Sequence, residues 1–152
     1  MIRYVVAVVL TIALIALAVP AIERGASMNS QRQVETSIAA IDDAATSLTE
    51  TEETPPDDHP APRRVVDVTL PQRSLTTESV DHFEITPRES YSSVRYVLAD
   101  GTTREAAIGE RIVWNDPAAT ESVELGGVGT TRLALTLRSD VNGDPVVVAS
   151  RV

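Results

Sequence analysis

From Tyr4 to Ile22 the chain reads YVVAVVLTIALIALAVPAI, and Thr11 is the only polar side chain in the run. As a helix rising 1.5 Å per residue, the run reaches roughly 28 Å, about the hydrocarbon thickness of a bilayer. A helix satisfies every backbone N–H and C=O within itself, which lipid requires of a single spanning segment. A core helix of a soluble domain normally keeps a polar stripe, and this run has none. Ala16-Leu17-Ala18 has the small-x-small form of a signal-peptide cleavage site, yet the apolar character continues past it to Ile22. The expectation is an uncleaved anchor over residues 1–22, with Tyr4, Val9, Leu14 and Ile22 in lipid. The flank after it carries Glu23, Arg24, Arg32, Glu35, Asp42 and Asp43. With Arg3 before the run, the positive-inside rule puts the N-terminus inside and the rest of the chain outside.

A helical stretch without proline follows, over residues 23–50. Val34, Ile38, Ile41, Ala45 and Leu48 are spaced by four, three, four and three residues, an apolar seam of 3.5-residue period. It covers two heptads, and Ser27 and Gln31 interrupt it on the side of the anchor. Three uses are open to such a face: packing on the chain's own head, self-association, or an unpaired stalk. Read together, the two segments form one helix of about 47 residues, with Pro20 and Gly25 as points where it can kink.

Residues 51–62 are rich in acids and proline and read as a solvated linker, ended upstream by proline's intolerance of a continuing helix. Beyond it, residues 63–152 read as β. RRVVDVTL at 63–70 alternates, with Val66, Val68 and Leu70 on one face. SVDHFEI at 79–85 places Phe83 and Ile85 inward, opposite Val80, His82 and Glu84. SVRYVLA at 93–99 runs into Asp100-Gly101, a two-residue hairpin signal, and returns over 102–108. Short strands at 111–114 and 122–125 are separated by the turn Asn115-Asp116-Pro117. TRLALTLR at 131–138 sets Leu133, Leu135 and Leu137 on one face, and PVVVASRV closes the chain. The fold class is therefore α+β: a long N-terminal helix, then a small antiparallel β-sandwich or meander sheet. About ninety residues support only a thin core of Val, Leu, Ile, Phe83 and Trp114, which the stalk helix is suited to cover.

The 152 residues carry a net charge of −9 and a pI near 4.6. Such a charge disfavours nucleic acid as a partner, since phosphates demand a basic patch. It also disfavours an electrostatic grip on anionic lipid. There is no cysteine, hence no disulfide, thiolate metal site or Cys nucleophile. All thirteen basic residues are arginine. Acid excess and the replacement of Lys by Arg both fit a GC-rich genome and a high-salt habitat, where acidic surfaces stay solvated. A haloarchaeal source is the expectation.

Candidate chemistry is sparse. Asp140, Asn142 and Asp144 occupy the first, third and fifth positions of an EF-hand-like loop, but position six is Pro145 and position twelve is Arg151. That leaves a polar hairpin turn, with weak calcium binding as its only metal chemistry. Asp57-Asp58-His59 lies in the proline-rich linker, where nothing holds ligands in place. His82 has no partner evident from spacing and reads as a surface or rim histidine. Glu121 and Glu124 read as solvated charges, and Gly126–Gly129 lacks a P-loop lysine and the following helix. No catalytic motif and no cofactor is expected, so an enzyme is not the reading.

An apolar segment running into a longer amphipathic helix, followed by a β-rich head, resembles type IV pilins and pseudopilins. The opening MIRYVVAVVLTIALIALAVPAIE, the acidic linker and RRVVDVTLP also resemble small haloarchaeal single-pass membrane proteins that accompany pilus-type secretion genes. The resemblance implies an apolar half-helix held in the membrane and a sheet facing outward. Pilin precursors carry a basic leader and a Glu at the fifth mature position, whereas here Arg3 abuts Tyr4 and no acid precedes Glu23. The resemblance thus implies an anchored accessory or assembly component with protein partners, and possible homo-oligomers through the helix. The alternative expectation is a membrane-tethered binding module whose head, 63–152, retains a ligand when cut free.

Overall fold

The computed structural model describes every residue except Asp57, Asp58 and Gly127. Helix α1 spans Ile2–Thr51, fifty residues, and runs through Pro20 and Gly25 without a break. Its two halves live in different surroundings. Residues 2–25 are exposed throughout, whereas Ala26, Ser30, Val34, Ser37, Ile38, Ile41, Ala45 and Leu48 are buried. All five residues of the apolar seam therefore face the chain's own head.

The head consists of two four-stranded sheets. The first contains β1 (Arg63–Leu70), β7 (Gly129–Ser139), β8 (Pro145–Arg151) and β5 (Ile112–Trp114), in the order β1-β7-β8-β5. The second contains β4 (Thr103–Ile108), β3 (Ser92–Leu98), β2 (Val80–Pro87) and β6 (Val123–Glu124), in the order β4-β3-β2-β6. All pairings are antiparallel except β5 with β8, which is parallel. A meander is realised only in β2-β3-β4. The short strands flanking Asn115-Asp116-Pro117 go to different sheets, so that turn is a crossover and not a hairpin.

Binary patterning accounts for most of the strands. Val66, Val68 and Leu70 of β1 are buried and their neighbours Asp67 and Thr69 exposed, as period-two alternation requires. In β2 the alternation is broken. The register with β3 shifts between Val80 and His82, so one extra residue is taken up there. This bulge turns Val80 inward along with Phe83 and Ile85, where strict alternation would have put it on the opposite face. The hairpin turns at Asp100-Gly101 but over the three residues 99–101 and not two: Leu98 N donates to Thr102 O at 2.9 Å, and Gly101, at φ 84, donates its N–H to Leu98 O at 2.8 Å. A side chain at that φ would cost about 1–2 kcal/mol.

One hydrophobic core serves the helix and both sheets. It joins the seam of α1 to Val68 and Leu135 of the first sheet and Phe83, Val94 and Leu98 of the second. Trp114, expected inside, is only half-buried at its edge, and Tyr96 is the large aromatic side chain fully enclosed beside Phe83. Strand β8 is apolar on both faces. Val147 and Ala149 enter the main core, while Val146 and Val148 form a small second cluster with Val113.

Candidate functional site

The most distinctive surface of the molecule is the bare half of α1. Tyr4, Val9, Leu14 and Ile22 are 76, 59, 64 and 58 % exposed, and no part of the head covers them. The one polar side chain in the run folds back on its own helix, Thr11 Oγ1 donating to Ala7 O at 2.9 Å. Nothing polar is therefore left for a lipid environment to satisfy. By length and composition α1 is able to cross a membrane once.

The joint between α1 and the head is fastened by serines that sequence periodicity does not reveal. Ser37 Oγ donates to Thr69 O at 2.9 Å and accepts from Thr69 N at 3.2 Å. Ser30 Oγ does the same with Glu78, at 2.8 and 2.7 Å. Each hydroxyl thus pairs both backbone groups of one residue, as a neighbouring strand would. At Thr69 this covers the free edge of β1, whose exposed N–H and C=O would otherwise invite pairing with another chain. Buried Ser92 makes a single bond of this kind, its Oγ accepting from Ile112 N at 2.7 Å and tying the second sheet to the first. Asn29 Nδ2 donates to Thr76 O at 3.0 Å, and Asp42 Oδ1 accepts from Gly109 N at 2.8 Å.

His82 is a rim histidine, its side chain 37 % exposed, with two acid neighbours that spacing did not show. Its Nδ1 lies 3.0 Å from Glu124 and its Nε2 lies 3.4 Å from Glu84. The reason is the pairing of β6 with β2, which sets Glu84 directly opposite Glu124. Two carboxylates on facing positions repel, and the His82 imidazole stands between them. A hydrogen bond from Ser122 holds the Glu84 carboxyl below its ordinary range, with the His82 bond second. Sequence spacing missed the cluster because β6 joins β2 only through long-range pairing. Glu121 stays exposed and outside it.

The calcium candidate resolves into a turn. Asp140 Oδ1 accepts from Asn142 N at 2.8 Å and from Asp144 N at 3.0 Å, while Arg111 Nη1 lies 3.5 Å from Oδ2. Those N–H bonds, Asn142 first, keep the Asp140 carboxyl below its usual range. The carboxylate is spent on closing the β7–β8 loop, with a guanidinium beside it where a cation would sit. No cluster of three or more potential metal ligands occurs among the described residues. In the linker candidate Asp57-Asp58-His59, the two aspartates lie outside the described residues, and His59 is exposed. Of the glycine-rich stretch, Gly127 lies outside the described residues and Gly129 opens β7 at φ 105.

The ends of the head are unlike. One end, built by the β1–β2 and β3–β4 loops, lies beside residues 27–30 of α1, next to the apolar run. The other carries the β2–β3 and β7–β8 turns and a groove of about 780 Å³ lined by Arg88, Tyr91, Arg111, Asp140 and Asn142.

A family described as a domain of unknown function, DUF7311, matches residues 1–152. The chain belongs to this family. The match takes in the bare half of α1, the joint and both sheets, so the helix is as much part of the family's pattern as the head. No curated protein and no solved structure matches the chain.

Proposed function

We propose that this member of the DUF7311 family is a non-enzymatic, single-pass membrane protein: a pilin-like accessory or assembly component of a type IV pilus-type surface or secretion system. The observation that supports the reading most is the unbroken α1, bare over residues 2–25, apolar from Tyr4 to Ile22, and buried along one face in a β-rich head over the rest. One rigid element then joins what sits in lipid to what stands outside it. The positive-inside rule places the N-terminus in the cytoplasm and the head outside the cell. The acidic, lysine-free composition supports a haloarchaeal source. Protein partners would meet the bare half of α1 within the bilayer, because the seam is already occupied by the head. Self-association, where it occurs, belongs to that same half.

The test is filament recovery. Val9→Glu and Leu14→Glu place a charge on the bare half without touching the head core. If the protein is assembled into filaments, both variants disappear from sheared surface filaments. Recovery of the wild type solely in washed membranes, with residues 1–22 intact by mass spectrometry, rejects the subunit role and leaves the accessory one.

A second reading, a membrane-tethered binding module, is favoured by the groove at the far end of the head. Arg88, Arg111 and Tyr91 there offer two guanidinium groups and an aromatic ring to a ligand. Retention of a surface polymer by residues 26–152, lost in Tyr91→Ala, would favour it.

A further inference from the structure

A second groove opens at the end of the head that faces the apolar run. It encloses about 660 Å³ between α1, the loop after β1 and the start of β4. Arg24, Arg73 and Arg104 line it, one from each of these three elements. Among the described residues none of the three has a carboxylate within 4 Å. Ser27 and Thr102 add hydroxyls to the lining.

The position along α1 is what gives the groove its meaning. Its helical lining runs from Glu23 to Gln31. At 1.5 Å per residue, that stretch lies about 1.5 to 14 Å beyond Ile22, the end of the apolar run. The polar headgroup layer occupies roughly 5–7 Å on each side of the hydrocarbon, so the groove opens at headgroup depth and just above it. Leu75, in the same loop as Arg73, is 88 % exposed, and Met28 of the lining is 54 % exposed. Apolar side chains beside arginines form the pattern of a surface that settles into a bilayer interface. The loop is pinned to the helix by the Asn29–Thr76 bond, so its height above the membrane is set.

Glu23, Glu78 and Asp100 also line the groove and balance the formal charge of the arginines. Bulk attraction of a negative surface is therefore not what the groove supplies. Asp100 is exposed and accepts the Thr102 N–H at its Oδ1, 2.8 Å away. Gln31, its amide oxygen turned toward Arg104, accepts from Nε at 2.6 Å and from Nη2 at 3.1 Å, which fixes that guanidinium and leaves its Nη1, together with the guanidinium groups of Arg24 and Arg73, as planar donors whose geometry suits phosphate oxygens. We propose that this groove seats the phosphate of lipid headgroups in the leaflet from which the head emerges, docking the head on the membrane at a fixed orientation. The inference rests on the reading of α1 as a membrane span.

The full chain in detergent is titrated with a phosphoglycerol lipid, a phosphoethanolamine lipid and a phosphate-free glycolipid of equal chain length, and bound lipid is counted by native mass spectrometry. Both phospholipids are expected to be retained about fivefold or more over the glycolipid, as directed charge-assisted bonds imply. Arg73→Gln combined with Arg104→Gln brings them down to the glycolipid level, while Arg63→Gln at the far end of β1 changes nothing. Equal retention of all three lipids, or a preference that survives the double substitution, overturns the headgroup site and leaves the span intact. Displacement of the lipid by free glycerol phosphate at equal concentration overturns the lipid source in favour of a soluble phosphate. Failure of the wild type to float with vesicles overturns the span and the headgroup site together.

Discussion

Ser30, Ser37 and Ser92 are the buried polar residues among those described, and each satisfies backbone groups of a distant element. Removing such a hydroxyl leaves a buried N–H or C=O without a partner, at about 1–3 kcal/mol per group. Ser37→Ala is therefore expected to destabilise residues 26–152 by about 1–3 kcal/mol in urea titration, although it deletes a single oxygen. A loss under 0.5 kcal/mol would mean that water replaces the hydroxyl at Thr69, by the usual scale of neutral surface changes. Glu84 sets a pH dependence. Its folded pKa is held below 4.5, chiefly by the Ser122 hydrogen bond, so its contribution is present above pH 4.5 and is lost as pH falls through the depressed value. The melting temperature should drop on acidification in that window, and Glu84→Gln should flatten the drop. The serine bonds were not legible in the sequence, because a serine in a helix advertises nothing about which backbone lies opposite. The acid neighbours of His82 were not legible for a related reason: Glu124 reaches it only across a strand pair two residues long.

The elements were legible where a single periodicity rules. The seam, β1, and the Leu133, Leu135 and Leu137 face of β7 follow from spacing alone, because one face of each is buried and a slip would expose it. The bulge in β2 and the parallel β5–β8 pair were not legible, since both depend on what lies alongside. The joint of α1 with the head also changes which piece of the chain can stand alone. Val34, Ile41, Ala45 and Leu48 are wholly buried in the same core as Phe83 and Leu135. Residues 63–152 lack that wall, so the longer fragment, residues 26–152, is the one that keeps the core whole. Residues 26–152 should melt cooperatively, whereas 63–152 should show no cooperative transition by circular dichroism. Ile41→Ala in the longer fragment is expected to cost about 2–5 kcal/mol, more than most strand substitutions on the solvent face.

At the scale of the whole molecule, the absence of cysteine makes topology directly measurable. Ser90→Cys lies in the turn between β2 and β3, at the end of the head away from the anchor. An impermeant maleimide should label it in intact cells, while Ile2→Cys is labelled only after lysis. The reverse pattern would reject the outward head. Leu14→Arg near the middle of the apolar run is expected to add about 2.5–3.5 kcal/mol to insertion and shift protein out of the membrane fraction. The sequence by itself determined the helix, its division into an apolar half and an amphipathic half, and the β-rich character of the rest. Those features come from local periodicity and from an apolar run as long as a bilayer is thick, and neither needs a distant residue to be recognised. Only the tertiary structure decided that the seam closes on the chain's own head, which strands share a sheet, and where the arginines gather. Each of these depends on residues brought together from far apart in the chain. The pattern of one segment records that it will be covered, but not by what.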